Sequence, residues 1–450
     1  FYFMRDSMDV LQSLNLKESQ LIAHTYNNSS GIFTAVEGEI PMNAMIKKTT
    51  LLRLVLPDKL KKIGISAFHG CTNLSGSLVI PEGVTEIKAG AFAYCRSLTG
   101  TLSLPSTLES IEGNYTGNEM GAFHECGFVS ELKLPEKLTY LGDYVFYHCS
   151  GLYGNITLPH NLTYLGESTF EGCKNLTGGL TIPQTISEIK YRTFAFCNFN
   201  GTLELHDGVV AIGEEAFITN PMKGELHLPS KLTVISNSAF EGCDFSGILK
   251  LPENLNVIGN NAFKGNWRLM GVLEFPEGIV SIGAGAFANC RSIEGIIFPE
   301  SLENIRYETE WGDSGGAFSN CFGIGSIVCK GSIPPYVQPG AFNGVAKDNF
   351  TLEVPESAIQ QYQAAVGWSD FKRIAAHREL VCRPGIANAI NTQCTRKLII
   401  DAEGEWIVES KPDWCSLSQN EGNKKTEVTL TIHQMAAGSP MRTGEIVFKL

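Results

Sequence analysis

Leu78-Val79-Ile80-Pro81-Glu82-Gly83-Val84-Thr85-Glu86-Ile87-Lys88-Ala89-Gly90-Ala91-Phe92-Ala93-Tyr94-Cys95 is one copy of a unit that returns along most of the chain. Its phenylalanine recurs as Phe68, Phe92, Phe123, Phe146, Phe170, Phe194, Phe217, Phe240, Phe263, Phe287, Phe318 and Phe342. Most of these follow an alanine, and most precede a cysteine by three residues. The steps are 23 or 24 residues, apart from two of 31 that end at Phe123 and Phe318. A fixed period of this length means a solenoid, in which each coil buries its apolar face only against its neighbours. Solenoids offer long surfaces to partners and seldom build one catalytic pocket.

Within the unit, Leu78 and Ile80 alternate with Val79 as a short strand that Pro81 terminates. Val84 and Ile87 give a second inward-facing stretch, and Ala91-Phe92 fills the core before the turn. The frame recurs at Leu102-Ser103-Leu104-Pro105, Leu132-Lys133-Leu134-Pro135, Ile156-Thr157-Leu158-Pro159 and onward to Ile296-Ile297-Phe298-Pro299. Glycine usually stands two residues before the strand, as at Gly76, Gly100 and Gly154, and relaxes the turn into it. Met45 looks like an earlier, degenerate copy, and Leu11, Leu14 and Leu16 form an irregular unit before it. Leu352-Glu353-Val354-Pro355 is the last strand, and a short helix with Trp368, Phe371 and Ile374 covers the final coil. About 13 coils at ~4.8 Å would give a sheet about 60 Å long. The expected division is a solenoid over residues 1–378, with irregular N-terminal repeats in 1–50 and a capping helix segment in 356–378.

Nine of the 13 cysteines (Cys71, Cys95, Cys126, Cys149, Cys173, Cys197, Cys243, Cys290 and Cys321) hold one slot of the unit. Other copies place Asn220, Asn266 or Val345 there. A slot shared by cysteine and asparagine wants a small buried group that bonds to backbone, so reduced thiols are expected rather than disulfides. No C-x2-C pair or histidine cluster points to zinc, and no cofactor is expected.

The formal charge is −12, from 35 basic and 47 acidic residues, with no block of lysine and arginine. Nucleic acid and anionic membrane are therefore poor partners. No run of 18 apolar residues occurs, so membrane insertion is not expected of this sequence. No secretory signal is visible at Phe1-Tyr2-Phe3-Met4-Arg5-Asp6, and the chain opens inside repeat-like sequence, which reads as a fragment of a longer precursor.

Residues 379–450 read differently. Lys397-Leu398-Ile399-Ile400, Trp406-Ile407-Val408-Glu409, Val428-Thr429-Leu430-Thr431-Ile432 and Glu445-Ile446-Val447-Phe448 alternate as strands between turn residues. A small antiparallel β-sandwich is expected. Trp406 shares the strand phase of Val408 and is expected in its core. Trp414 is expected there too, with a sugar-stacking role as the alternative. Cys382, Cys394 and Cys415 lie outside the ladder, and any disulfide among them is left open.

The pattern L-x-(I/L)-P-x-x-(L/V)-x-x-I-G-x-x-A-F-x-x-C resembles the BspA-like, or Treponema-type, leucine-rich repeats over about residues 40–355. That resemblance implies a right-handed leucine-rich-repeat solenoid, an extracellular or surface-anchored location, and a role in adhesion. Trp406, Pro412-Asp413-Trp414, Gly422 and Arg442-Thr443-Gly444-Glu445-Ile446 resemble the BACON domain of Bacteroidetes surface and secreted proteins. This second resemblance implies an immunoglobulin-like β-sandwich that binds carbohydrate or glycoprotein, or serves as a spacer.

Gly312-Asp313-Ser314-Gly315-Gly316 matches the nucleophile segment of chymotrypsin-like proteases. Those enzymes need a histidine base and an aspartate upstream, and here Ala375-Ala376-His377 falls downstream. The segment lies in a seven-residue insertion before Phe318, matched by Asn114–Met120 before Phe123, and both read as surface loops rather than as catalysis. The outward strand positions supply the candidate ligand contacts: Lys133, Thr157, Glu204, His227, Lys250 and Glu274. They form a mixed polar face without an aromatic stripe. The expected function is that of a non-enzymatic surface or secreted binding protein, an adhesin for host or neighbouring-cell proteins. A glycan-capturing accessory protein and a structural spacer are the alternatives.

Overall fold

Each copy of the unit closes into one coil because its apolar residues face inward at two separate stretches. A computed structural model describes the chain apart from residues 29–30, 114–119, 307–314, 378–379, 384–393, 403–404, 424–425, 433–445 and 450. Contacts divide it into Phe1–Ala375 and Ala376–Leu450. The first unit is a parallel β-solenoid of about 14 turns.

Two strand rows run along the solenoid. The first holds the strands that end at proline: Leu78–Val79 pairs with Leu102–Ser103, and Leu180–Thr181 with Leu203–Glu204, all parallel. Towards the C-terminus this row becomes a six-stranded sheet from Ser246–Gly247 to Ile374–Ala376. The second row is the stretch read above only as inward-facing. It forms a six-stranded parallel sheet from Glu39–Ile40 to Tyr164–Leu165 and a five-stranded one from Val234–Ile235 to Tyr336–Val337. At two residues per strand, alternation was too short to read. Where a glycine follows one of these strands, as at Gly64, Gly142, Gly166, Gly213, Gly259 and Gly283, close approach of the preceding coil requires it. A Cβ on Gly283 would lie 2.5 Å from the Asn260 nitrogen, and one on Gly213 would lie 2.7 Å from the Lys190 carbonyl carbon.

The twelve phenylalanines form one spine. Consecutive rings from Phe68 to Phe342 stack at 5.2–5.8 Å with interplanar angles of at most 15°. Beside the spine runs the cysteine ladder. The Cys149, Cys173 and Cys197 thiols donate to the Phe123, Phe146 and Phe170 carbonyls of the preceding coil at 3.0–3.1 Å. Asn220 and Asn266 make the same bond to Phe194 and Phe240, at 2.7 and 2.8 Å. The amide oxygen also accepts from Phe199 and Phe245 N–H. All nine ladder cysteines are free and buried. Burial pushes the Cys71, Cys149 and Cys321 thiols up to about 12.

The ends are covered differently. Among residues 1–50, Ser13–Asn15 pairs in parallel with Arg53–Val55, and Glu39–Ile40 joins the second row. Between them, His24–Asn28 and Gly31–Ala35 form an antiparallel hairpin, and Tyr2–Ser7 is helical. This differs from a run of irregular coils, because the segment lacks the leucine–proline strand frame. At the other end, Ile359–Ala364 is the short helix, and Tyr362, Trp368 and Phe371 are buried. Trp368 lies 5.6 Å from Phe342 at an interplanar angle of 51°, closing the spine, and its indole N–H donates to the Pro335 carbonyl at 2.8 Å.

The second unit has two antiparallel sheets. Cys394–Ala402 lies between Leu380–Arg383 and Thr426–Ile432, with Cys415–Leu417 beyond, and Glu405–Ser410 lies between Glu421–Asn423 and Val447–Lys449. Leu398, Ile400, Trp406, Val428 and Leu430 form the core that the sheets share. Trp406 is 1% exposed, as its strand phase requires. No helix among the described residues is long and apolar enough to cross a membrane.

Candidate binding surfaces

The six candidate contacts all lie on the outward side of the first strand row, but they do not converge. Lys133, Thr157, Glu204, His227 and Lys250 are exposed, and Glu274 is half-buried. Lys133 pairs with Glu131 at 3.1 Å, and Glu274 lies 3.6 Å from Lys330. His227 and Lys250 sit in adjacent, bridged positions. Thr157 and Glu204 alone share a concavity, a groove of about 470 Å³. It lies where the strand ladder changes partners. Tyr153–Asn155 pairs with Asn175–Thr177, whereas Leu180–Thr181 pairs with Leu203–Glu204. Gly178 takes a φ of +85° at that break, and a Cβ there would come 2.7 Å from the Asn155 amide.

A second surface was not anticipated. The turn around most of the spine phenylalanines carries two residues with positive φ, often glycine or asparagine. In several coils Tyr94, Tyr144, His148 and Phe196 take these positions instead, at φ of 62°, 58°, 54° and 54°. Left-handed backbone costs such residues roughly 1–2 kcal/mol each. Tyr94 contacts His69 at 5.4 Å and His124 at 5.0 Å, His124 stacks on Tyr147 at 4.6 Å, and Tyr147 meets His148 at 4.3 Å. Arg96 lies over Tyr94 and pairs with Glu125. The aromatic stripe missing from the strand face thus runs along the turns. Its signal was the run of Tyr and His just before and after the phenylalanine, spread over several slots.

A third surface is apolar. Ile248 (57% exposed) lies on one coil, Trp267 (48%), Met270 (50%) and Val272 (44%) on the next, and Phe322 (57%) two coils further on. A Cβ on Gly271, between Met270 and Val272, would come 3.1 Å from Ile248, and Arg291, on the coil between those of Trp267 and Phe322, lies over the Phe322 ring. The Arg268 guanidinium lies 4.4 Å over the Trp267 ring and 3.3 Å from Asp244, and that of Arg291 lies 5.9 Å from the Phe322 ring. Trp267 and Phe322 hold the slot after the ladder residue, where other coils carry Thr72, Arg96 or Lys174.

In the second unit Trp414 is half-buried against the core of Trp406. Cys415 is a free, buried thiol, and the side chains of Cys382 and Cys394 lie outside the described ones. Ser314 and the insertion at 114–119 also lie outside the described residues. Among the described residues no group of three His, Cys, Asp or Glu side chains could hold a metal ion.

Residues 38–177, 116–246 and 210–347 match the family model "BspA type Leucine rich repeat region". Residues 404–450 match the BACON model, "Putative binding domain, N-terminal". A leucine-rich repeat protein from Bacteroides ovatus is 22% identical, covering 83% of this chain and 93% of that one, with a TM-score of 0.54. A leucine rich cell surface protein from Faecalibacterium prausnitzii is 26% identical, covering 65% and 77%, with a TM-score of 0.37. The T. pallidum leucine rich repeat protein is 21% identical, covering 44% and 85%, with a TM-score of 0.27. No curated protein matches the chain. The families matched are repeat and binding modules rather than enzymes.

Proposed function

The chain belongs to the BspA-type leucine-rich-repeat family and ends in a BACON domain, and from that premise we propose that it is a non-enzymatic adhesin of the cell surface or secreted space. Proteins of this repeat type are typically found at the cell surface. The solenoid recognises a host or neighbouring-cell protein, and Lys133, Thr157, Glu204, His227, Lys250 and Glu274 contribute polar contacts along the strand face. The observation that carries a protein partner is the Trp267–Phe322 patch. Tryptophan, methionine and arginine are the residue types enriched where protein interfaces form, and a tryptophan backed by arginine is the usual composition of a hot spot. A contiguous exposed apolar patch rimmed by polar groups marks such a site better than scattered apolar residues do. The partner that fits presents an apolar centre flanked by carboxylates, facing Arg268 and Arg291.

A binding screen of the full chain against immobilised extracellular-matrix and cell-surface proteins tests this reading. Trp267→Ala and Phe322→Ala together should weaken capture of the identified partner at least tenfold, and Thr157→Ala, one polar contact among several, should weaken it less. A screen without a protein partner, or a partner held equally by the double variant, would refute it.

A further inference from the structure

The groove at the break in the first strand row has a chemistry unlike that of the apolar patch. Its polar lining is Asn155, Thr157, Thr181, Gln184, Thr202 and Glu204. Leu158, Leu180 and Ile182 turn their side chains into the core between these positions, so the groove presents polar side chains over strand backbone. Neither lysine nor arginine lines it, and Glu204 is its one carboxylate, already accepting a 2.9 Å hydrogen bond from the Thr181 hydroxyl. His160 at the rim faces Glu136 at 3.2 Å. The hydroxyls and amides of this lining can each donate and accept.

We propose that this groove is a binding site for a short, neutral oligosaccharide. The groove shares Thr157 and Glu204 with the strand face of the protein-binding reading, but none of the Trp267–Phe322 patch that carries that reading. Three observations lead to it. The lining lacks the cations that would hold a phosphate, sulfate or carboxylate, and the chain's charge of −12 opposes anions further. A single carboxylate, Glu204, lines the groove, which offers a cationic peptide only one charge to pair with. What remains is a row of two-way hydrogen-bonding groups, which matches the hydroxyls along the edge of a sugar. The volume, about 470 Å³, falls in the range of roughly 300–1,000 Å³ that small-molecule sites occupy. That is room for two or three sugar units. Fixed geometry comes from the paired strands on either side, so little of the lining must be ordered on binding.

The test is calorimetric titration of the full chain with neutral trisaccharides (maltotriose, cellotriose, mannotriose and chitotriose), set against sialyllactose and a sulfated heparin disaccharide. Thr181→Arg fills the groove, and Gln184→Arg, at an exposed position, does so with less risk to folding. Variants are compared only where their thermal midpoints match wild type. The expected result is binding of at least one neutral trisaccharide, at least tenfold weaker in either groove variant and unchanged in Trp267→Ala, Trp414→Ala and Tyr94→Ala. Absence of neutral binding, binding of charged sugars alone, or full binding by Gln184→Arg would overturn the proposal. So would a loss that follows Trp414→Ala or Tyr94→Ala, since that would move the site to the second unit or to the turns.

Discussion

Phe170→Ala tests the packing account most directly. The ring is fully buried and stacks on Phe146 at 5.7 Å and on Phe194 at 5.6 Å. Its truncation removes a side chain that three coils share, and the rigid backbone on both sides limits collapse of the cavity. The expected loss is ~3–5 kcal/mol, as for other buried phenylalanines. About 0.5–1.5 kcal/mol of this is attributable to each aromatic pair beyond area burial. Phe68 has an aromatic neighbour on one side only, Phe92 at 5.2 Å, with Met45 in the slot before it. Phe68→Ala should therefore cost less by about one pair, ~0.5–1.5 kcal/mol. Thr157 is exposed, so Thr157→Ala should shift stability by less than ~0.5 kcal/mol. Guanidinium melts followed by circular dichroism give the midpoints. Hydrogen exchange then locates the loss, because nearest-neighbour coupling in a solenoid confines early opening to the coils beside residue 170. Equal midpoints for Phe170→Ala and Thr157→Ala would refute the assignment of inside and outside.

Two further outcomes follow from buried titratable groups. With their thiols pushed up and bonded to carbonyls, Cys149, Cys173 and Cys197 should resist a maleimide reagent in the native protein and label fully after denaturation; rapid native labelling would contradict the ladder. His124 lies 5% exposed among Tyr94, Tyr144 and Tyr147, and burial lowers its pKa from 6.5 to about 4, with Glu125 opposing. Since the unfolded chain takes up this proton before the folded one does, stability should be complete above pH ~6.5 and fall towards pH 4, by at most about 1.4 kcal/mol per unit. His124→Phe should flatten that slope, and an unchanged slope between pH 6.5 and 4 would show that His124 does not drive it.

The coil was legible because every constraint on it repeats. Phe170 must stack on two copies of itself, Cys173 must reach the carbonyl of the preceding phenylalanine, and Gly166 must admit the neighbouring backbone. Identical demands at each step put identical residues in register, and periodicity exposes them. The second strand row escaped notice because each strand spans only two residues and its outer positions vary, as Glu86, Ser110 and Tyr140 do. The hairpin at His24–Ala35 escaped for a different reason, since it answers to no repeat at all. The candidate site residues were chosen by outward strand position, which does not say which of them lie together. Thr157 and Glu204 meet in one groove because the strand ladder changes partners beside them, and that event has no signature in composition.

The same division explains where binding can arise on such a chain. Stacking and ladder bonds are satisfied between coils in the solenoid interior whatever the outward slots carry, so exposed residues are almost free of folding constraints. A feature on the surface then has to be assembled across coils, from one or two residues in each. Trp267, Arg291 and Phe322 come from three coils, and so do Asn155, Thr181 and Glu204. The aromatic run from His69 to His148 crosses four, and it includes tyrosines at backbone angles that glycine would take without strain. Specificity in this solenoid therefore resides in which outward slots of adjacent coils depart from the consensus together. The places where they do so, at the strand break, on the turns and in the apolar patch, are distinct, so substitutions in one should leave binding at the others intact.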